Sequence, residues 1–245
     1  MEPQSPHQVS VGVVDTVPLF RDGISALVDR TPWIRLVAYS ASQHGAMHLA
    51  EQTRPNMLII DSGLDPRCHL TSLLANSYPA LRVVVLIREA HRTPRYVANS
   101  LAAGAYAAVP RSAEPDRVVE ALRHARQAQR YLDPDLANLV TKAKGQGSTP
   151  VTGPAPTQLA LSRREYQVLQ LIAEGLENAG IATSLFLSVE TVRTHVKSIL
   201  RKLSARDRTH AVAIAFRTGL LTLAPEDDLF PPDEISERAP VKHVV

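Results

Sequence analysis

Two sets of side chains in this sequence have the types and spacing to do chemistry. The first is cationic. Arg193, Thr194, Lys197 and Arg201 fall on one side of a helical projection, and Val192, Val196, Ile199, Leu200 and Leu203 fall on the other. A short exposed helix that carries cations, a hydroxyl and no acid after its first turn suits the major groove of double-stranded DNA. There Arg and Lys reach guanine acceptors and phosphates. Most basic helix faces are only solvated surface, so the neighbouring elements decide the reading. The second set is a pair of carboxylates, Asp15 and Asp61, each closing a short aliphatic run. If those runs are neighbouring strands, the acids meet at one end of a sheet; otherwise they are loop acids that cap helices.

The elements around the cationic helix are short and helical. Ser188 precedes it as an N-cap whose hydroxyl can take an orphan N–H, and Glu190 places a negative charge at the positive end of the helix dipole. Upstream, Ser162 and Glu165 have the spacing of a capping box before Tyr166-Gln167-Val168-Leu169-Gln170-Leu171-Ile172. A short helix from Asn178, with Ile181, Ala182 and Leu185 inward, and a fourth beginning near Asp207 complete the group. Four helices of this size bury one small core, the dimension of a helix-turn-helix module.

The first half alternates β-rich runs with helical patterns. Residues 9–14, 34–39, 57–61, 82–87 and 105–109 are predicted as strands. The helices after them are predicted over 18–30, 42–52, 68–78, 94–103 and 115–130. Five βα units imply a doubly wound parallel sheet of five strands covered on both faces, flavodoxin-like, with its reactive groups at the carboxyl ends of the strands. The fold class is therefore α/β followed by an all-α four-helix domain. The boundaries are 1–132 for the α/β domain, 133–158 for a linker rich in Gly and Pro, 159–223 for the helical domain and 224–245 for an acidic tail. A short helix over 134–144 extends the first domain.

The chain of 245 residues has a net charge of +3, which conceals a local asymmetry. Residues 161–223 carry nine Lys/Arg and five Asp/Glu, a net of +4, and the tail carries six acids and two bases. The basic excess lies where the cationic helix lies, as nucleic-acid binding requires. No apolar run is long enough for a membrane span, no secretory signal opens the chain, and the single Cys68 has no partner for an internal disulfide. A cytoplasmic protein is expected. The nine histidines form no metal-ligand spacing, and no P-loop, GxGxxG, HExxH or GxSxG signature is present, so the chain is not expected to be an enzyme.

Within the helical domain, Leu161-Ser162-Arg163-Arg164-Glu165, Ile172-Ala173-Glu174-Gly175, Ile181-Ala182, Leu187-Ser188, Thr191-Val192-Arg193-Thr194-His195-Val196 and Lys202-Leu203 resemble the DNA-binding domain of LuxR-type regulators. Such domains occur in the NarL/FixJ family of response regulators. The resemblance implies that Arg193, Thr194 and Lys197 face base edges, with Ser188, Thr191 and Arg201 nearer phosphate. Ala179 and Gly180 depart from the usual Lys-Glu pair. The run Asp207-Arg208-Thr209-His210-Ala211-Val212-Ala213 is similar to that of actinobacterial orphan regulators.

The first domain resembles a receiver domain. Val13-Val14-Asp15-Thr16 looks like its opening, Arg54-Pro55-Asn56-Met57-Leu58-Ile59-Ile60-Asp61 like its phospho-acceptor strand, and Ala102-Ala103-Gly104-Ala105 like the turn before its last strand. A working receiver needs a nucleophilic Asp, two further acids to share Mg²⁺, a hydroxyl and a Lys. Here the resemblance puts Asp61 at the acceptor position and Asp15 at one metal-binding acid. Thr16 replaces the other acid, Ile87 stands at the hydroxyl position and Arg111 at the Lys position. Losing the hydroxyl removes a hydrogen bond to charge worth about 1.5–3 kcal/mol, and Arg keeps the charge of Lys without its geometry.

The expectation is a sequence-specific DNA-binding transcriptional regulator that acts as a dimer, with an atypical receiver that needs neither phosphate nor Mg²⁺. A small-molecule ligand at the receiver is a further expected partner class. One alternative is a conventional response regulator switched by phosphorylation of Asp61. Another is a co-regulator that heterodimerises with a related protein and makes only auxiliary DNA contacts.

Overall fold

The computed structural model describes residues 8–145 and 161–222. Most of the Gly/Pro-rich linker and the acidic tail lie outside these residues. Strands β1 (Val9–Val14), β2 (Ile34–Ser40), β3 (Met57–Asp61), β4 (Arg82–Ile87), β5 (Ala107–Pro110) and β6 (Tyr131–Leu132) form one parallel sheet in the order β2-β1-β3-β4-β5-β6. The helices of this domain are α1 (Pro18–Asp29), α2 (Gln43–Thr53), α3 (His69–Ser77), α4 (Pro94–Ala102), α5 (Pro115–Arg126) and α6 (Pro134–Gly145).

Side chains of successive strand residues point to opposite faces, and both faces are apolar. Val11, Val13, Met57, Ile59, Val84 and Leu86 pack with Ile24 and Val28 of α1 and Val118 and Leu122 of α5. Leu58, Ile60, Val83, Val85 and Ile87 pack on the other face with Met47 of α2, Leu70 and Leu74 of α3 and Val97 of α4. The strand order reverses between β1 and β3, so the ends of those two strands flank the switch point where such sheets leave a crevice. Asp15 and Asp61 stand there, each 1% exposed.

One expectation is corrected. The sheet has six strands, not five: Tyr131 N–H donates to Tyr106 O at 2.9 Å and Asp133 N–H to Ala108 O at 3.0 Å, which adds β6 beside β5. Two residues are too few for any period to show. The helix expected over 134–144 as an extension of the first domain is α6, held there because Asp133 and Leu136 are fully buried and α6 packs on α4 and β5. Arg117 Nη1 donates to Asp133 Oδ1 at 3.0 Å and anchors the start of that helix.

The second domain comprises α7 (Arg163–Ala173), α8 (Asn178–Leu185), α9 (Val189–Leu203) and α10 (Arg208–Arg217). Each of α7, α9 and α10 begins at the cap its sequence advertises. Ser162 Oγ accepts from Glu165 N, Ser188 Oγ from Thr191 N and Asp207 Oδ1 from His210 N. Tyr166, Leu169, Ile181, Val192, Ile199 and Ala215 form the buried centre, with Val196, Leu200 and Phe216 packed half-buried around it. The domain rests on α2 and α3 of the first. Arg163 donates to Tyr78 Oη at 2.8 Å and to Glu51 Oε1 at 3.2 Å, and Gln167 Nε2 donates to Glu51 Oε2 at 3.2 Å.

Gly180 sits inside α8, and a Cβ there would meet only the Leu176 side chain at 3.6 Å, an ordinary contact. Gly180→Ala is therefore expected to stabilise the domain by about 0.5–1 kcal/mol. A higher urea midpoint with unchanged m would show it.

Candidate functional site

Helix α9 positions its cations by burying the opposite face. Val192, Ile199 and Leu203 are at most 4% exposed, and this turns Arg193, Thr194, Lys197 and Arg201 to solvent. Ser188 and Thr191 share a hydroxyl contact at 2.8 Å where the helix begins. Arg193 Nη1 lies 2.5 Å from Glu190 Oε1, a pair whose two side chains are 61% and 76% exposed. Such a pair contributes a few tenths of a kcal/mol, ~0.3, so a phosphate or a guanine edge displaces it at little cost. Thr194 Oγ1 donates back to Glu190 O at 3.0 Å, so its hydroxyl proton is engaged within the helix. His195 is half-buried beside them.

Lys202 belongs to a different constellation. Its Nζ donates to Glu165 Oε2 at 2.6 Å, Ser198 Oγ donates to Glu165 Oε1 at 2.6 Å, and Ser162 N–H donates to Glu165 Oε2 at 2.6 Å. Glu165 thus ties the first turn of α7 to two turns of α9. Burial alone would raise its carboxyl, but the donors from Lys202, Ser198 and Ser162 outweigh that and hold it down at about 2. The capping box announces Glu165 in the sequence. Its grip on α9 is not announced, because Ser198 and Lys202 lie more than thirty residues away.

In the crevice, Asp15 and Asp61 do meet, and each has found an arginine. Arg88 Nε donates to Asp61 Oδ1 at 2.9 Å, and its Nη2 lies 2.5 Å from Oδ2. That same Nη2 donates to Thr16 Oγ1 at 3.1 Å. Arg111 Nη2 donates to both oxygens of Asp15, at 2.8 and 2.9 Å, while its guanidinium lies 4.0 Å above the centre of the Phe20 ring. Arg111 Nε stays 3.7 Å from Asp61 Oδ1. Burial pushes the Asp15 carboxyl up. The Val17 N–H and Arg111 pull against that rise, and the charge of Asp61 adds to it.

Ile87 is buried in the core and offers no polar atom, as its side chain dictates. The polar neighbour is Ser62, whose Oγ accepts from Arg88 N–H at 2.9 Å and contacts His91 Nδ1 at 2.9 Å. His91 stacks on Tyr96 of α4 with centroids 5.1 Å apart. The receiver resemblance singles out Ile87 and not its neighbour Arg88. The available signal was an arginine directly after a strand that neighbours the acid-bearing one.

The receiver resemblance implies Mg²⁺ at these acids, and the residues present do not fit it. Mg²⁺ wants carboxylate oxygens free for octahedral coordination, whereas both carboxylates here face guanidinium groups and the third acid is Thr16. Among the described residues no group of three His, Cys, Asp or Glu side chains is placed to hold a metal ion. Nor is any described helix long and apolar enough to cross a membrane.

Residues 159–215 match the luxR family of bacterial regulatory proteins. The uncharacterized transcriptional regulatory protein YxjL of Bacillus subtilis is 30% identical over 87% of this chain and 98% of its own length. The transcriptional regulatory protein DegU of Brevibacillus brevis is 28% identical over 87% of this chain and 95% of its own length. Among solved structures, the RcsB response regulator of Salmonella typhimurium shares the fold with a TM-score of 0.53 at 20% identity, over 84% of this chain and 97% of that one. A structure of two RcsB dimers bound to two parallel DNAs aligns with a TM-score of 0.52, also at 20% identity, over 84% of this chain and 97% of that one.

Proposed function

This chain belongs to the transcriptional response regulators that carry a LuxR-type DNA-binding domain, and from that premise we propose that it binds a specific DNA sequence as a dimer and does so independently of phosphorylation. The observation that carries the DNA reading is the exposed cationic face of α9 on a firmly seated helix. Arg193, Thr194 and Lys197 address base edges, while Ser188, Thr191 and Arg201 address the backbone. A dimer presents two such helices to half-sites about one helical turn apart; RcsB, which shares the fold, binds DNA as dimers. The second copy is the same chain or a related regulator.

Phosphorylation independence rests on the crevice. The acceptor carboxylate of Asp61 is 1% exposed and paired with Arg88, no hydroxyl stands at position 87, and Thr16 supplies no charge for a cation. No divalent cation is required, and a small ligand that displaces an arginine is the kind of signal this pocket could take in place of phosphate.

The test is fluorescence anisotropy of the purified chain on its own upstream DNA, with and without Mg²⁺ and acetyl phosphate. The expected result is salt-sensitive binding whose Kd changes less than about twofold with the donor, since a modification that does not occur shifts no equilibrium. Binding that appears only with the donor and vanishes in Asp61→Ala would instead establish a conventional phospho-switch.

A further inference from the structure

We propose that Arg88 is a tethered cation that takes the place of the divalent ion at Asp61, so that the crevice is closed to metal by the chain's own side chain. The inference deepens the reading of a phosphorylation-independent receiver and rests on it. Three observations carry it. Arg88 faces both oxygens of Asp61: Nε donates to Oδ1 at 2.9 Å, and Nη2 stands 2.5 Å from Oδ2 as an ion pair. It also reaches Thr16 Oγ1, the residue that stands where a second metal-binding acid would be, so one guanidinium bridges both halves of the expected cation site. Finally, Gly63 leaves room for it. A Cβ at position 63 would come within 2.6 Å of Arg88 Cζ, 2.7 Å of Nε and 2.8 Å of Asp61 Oδ2.

The backbone holds this arginine in place. Arg88 N–H donates to Ser62 Oγ, one residue after Asp61, and His91 contacts the same hydroxyl while stacking on Tyr96. The loop after β4 is thereby clamped to the loop after β3, and the guanidinium needs only its own side-chain torsions to reach the acid. Charge is balanced locally, with Asp61 against Arg88 and Asp15 against Arg111. An arriving Mg²⁺ would have to displace a cation already covalently attached to the protein, at the high effective concentration that tethering gives.

The experiment titrates Mn²⁺ into the full-length protein and reads free Mn²⁺ by electron paramagnetic resonance. Wild type, Arg88→Ala, Arg88→Gln and Arg88→Lys are compared, with folding checked by circular dichroism. Arg88→Gln keeps a hydrogen-bond donor beside Asp61 and serves where the alanine variant is unstable. Wild type and Arg88→Lys are expected to leave the Mn²⁺ signal as in buffer. The two neutral variants are expected to gain a saturable site, with apparent affinity raised at least about tenfold and lost again in Arg88→Gln/Asp61→Asn. Neutral variants as silent as wild type would overturn the inference, and so would wild type binding Mn²⁺ as tightly as they do. Failure of the underlying reading shows separately, as acyl-phosphate on Asp61 of wild type after treatment with a phosphodonor.

Discussion

Arg193→Ala and Lys197→Ala made together are expected to weaken binding to the specific DNA site by about 2–6 kcal/mol, the sum of about 1–3 kcal/mol for each contact. Both side chains are exposed on α9, and Arg193 gives up only its surface pair with Glu190, so thermal stability should move by no more than about 0.5 kcal/mol. The two losses differ in kind. Arg193→Ala relaxes base preference at one position of the half-site, because a bidentate arginine discriminates guanine. Lys197→Ala removes a point charge at the base edges rather than a fork, so it should weaken the specific site more than random DNA, with less change in base preference than Arg193→Ala and a salt slope lower by no more than about one. Footprints and anisotropy at two or more salt concentrations separate these effects. An unchanged footprint in both single variants would remove α9 from the role of recognition helix.

Glu165 gives the second large effect. Replacing it by Ala leaves Lys202, Ser198 and the first turn of α7 without their shared acceptor and is expected to cost about 3 kcal/mol of stability. Its titration predicts a pH dependence. The folded carboxyl lies at about 2, below the ordinary 4.5, so the unfolded chain binds the proton more tightly. The stabilisation is fully present above about pH 4.5 and is lost as pH falls through 2, with a magnitude on the order of 2 kcal/mol. Urea unfolding between pH 5 and 2.5 should therefore show a steeper decline for wild type than for Glu165→Gln, whose difference from wild type shrinks with acidity. DNA affinity of Glu165→Gln should fall too, because Ser198 and Lys202 fix how α9 leans on α7. Parallel pH profiles for the two proteins would show that Glu165 does not carry this charge linkage.

Much of the architecture was legible because it is encoded within a few residues. Alternating and continuous aliphatic runs located β1, β3 and β4 to the residue, since both faces of this sheet are covered and nearly every strand position is apolar. Ser162, Ser188 and Asp207 marked helix starts because an N-cap needs only an oxygen three residues before its N–H. The cationic face of α9 followed from a period of 3.6. β6 escaped notice because two residues have no period. α6 was expected as a short helix, and the burial of Leu136 and Asp133 is what secures it to the first domain.

By itself, then, the sequence determined the two domains, the element types, the meeting of Asp15 with Asp61 at the switch point, and the face of α9 that looks outward. These depend on periodicity, caps and the general rule for parallel sheets. Only the tertiary structure decided which cation each acid receives. Asp61 pairs in register with Leu86 of the neighbouring strand, which sets Arg88 two residues further along, beside the carboxylate and across twenty-seven residues of chain. Arg111 reaches Asp15 across ninety-six. An arginine in a loop is compatible with solvent, phosphate or any acid within reach of its long side chain. The choice is made by strand order, by a hydroxyl at Ser62 that holds the backbone, and by the space that Gly63 leaves open. The partners that set the chemistry of the crevice are therefore properties of the assembled sheet.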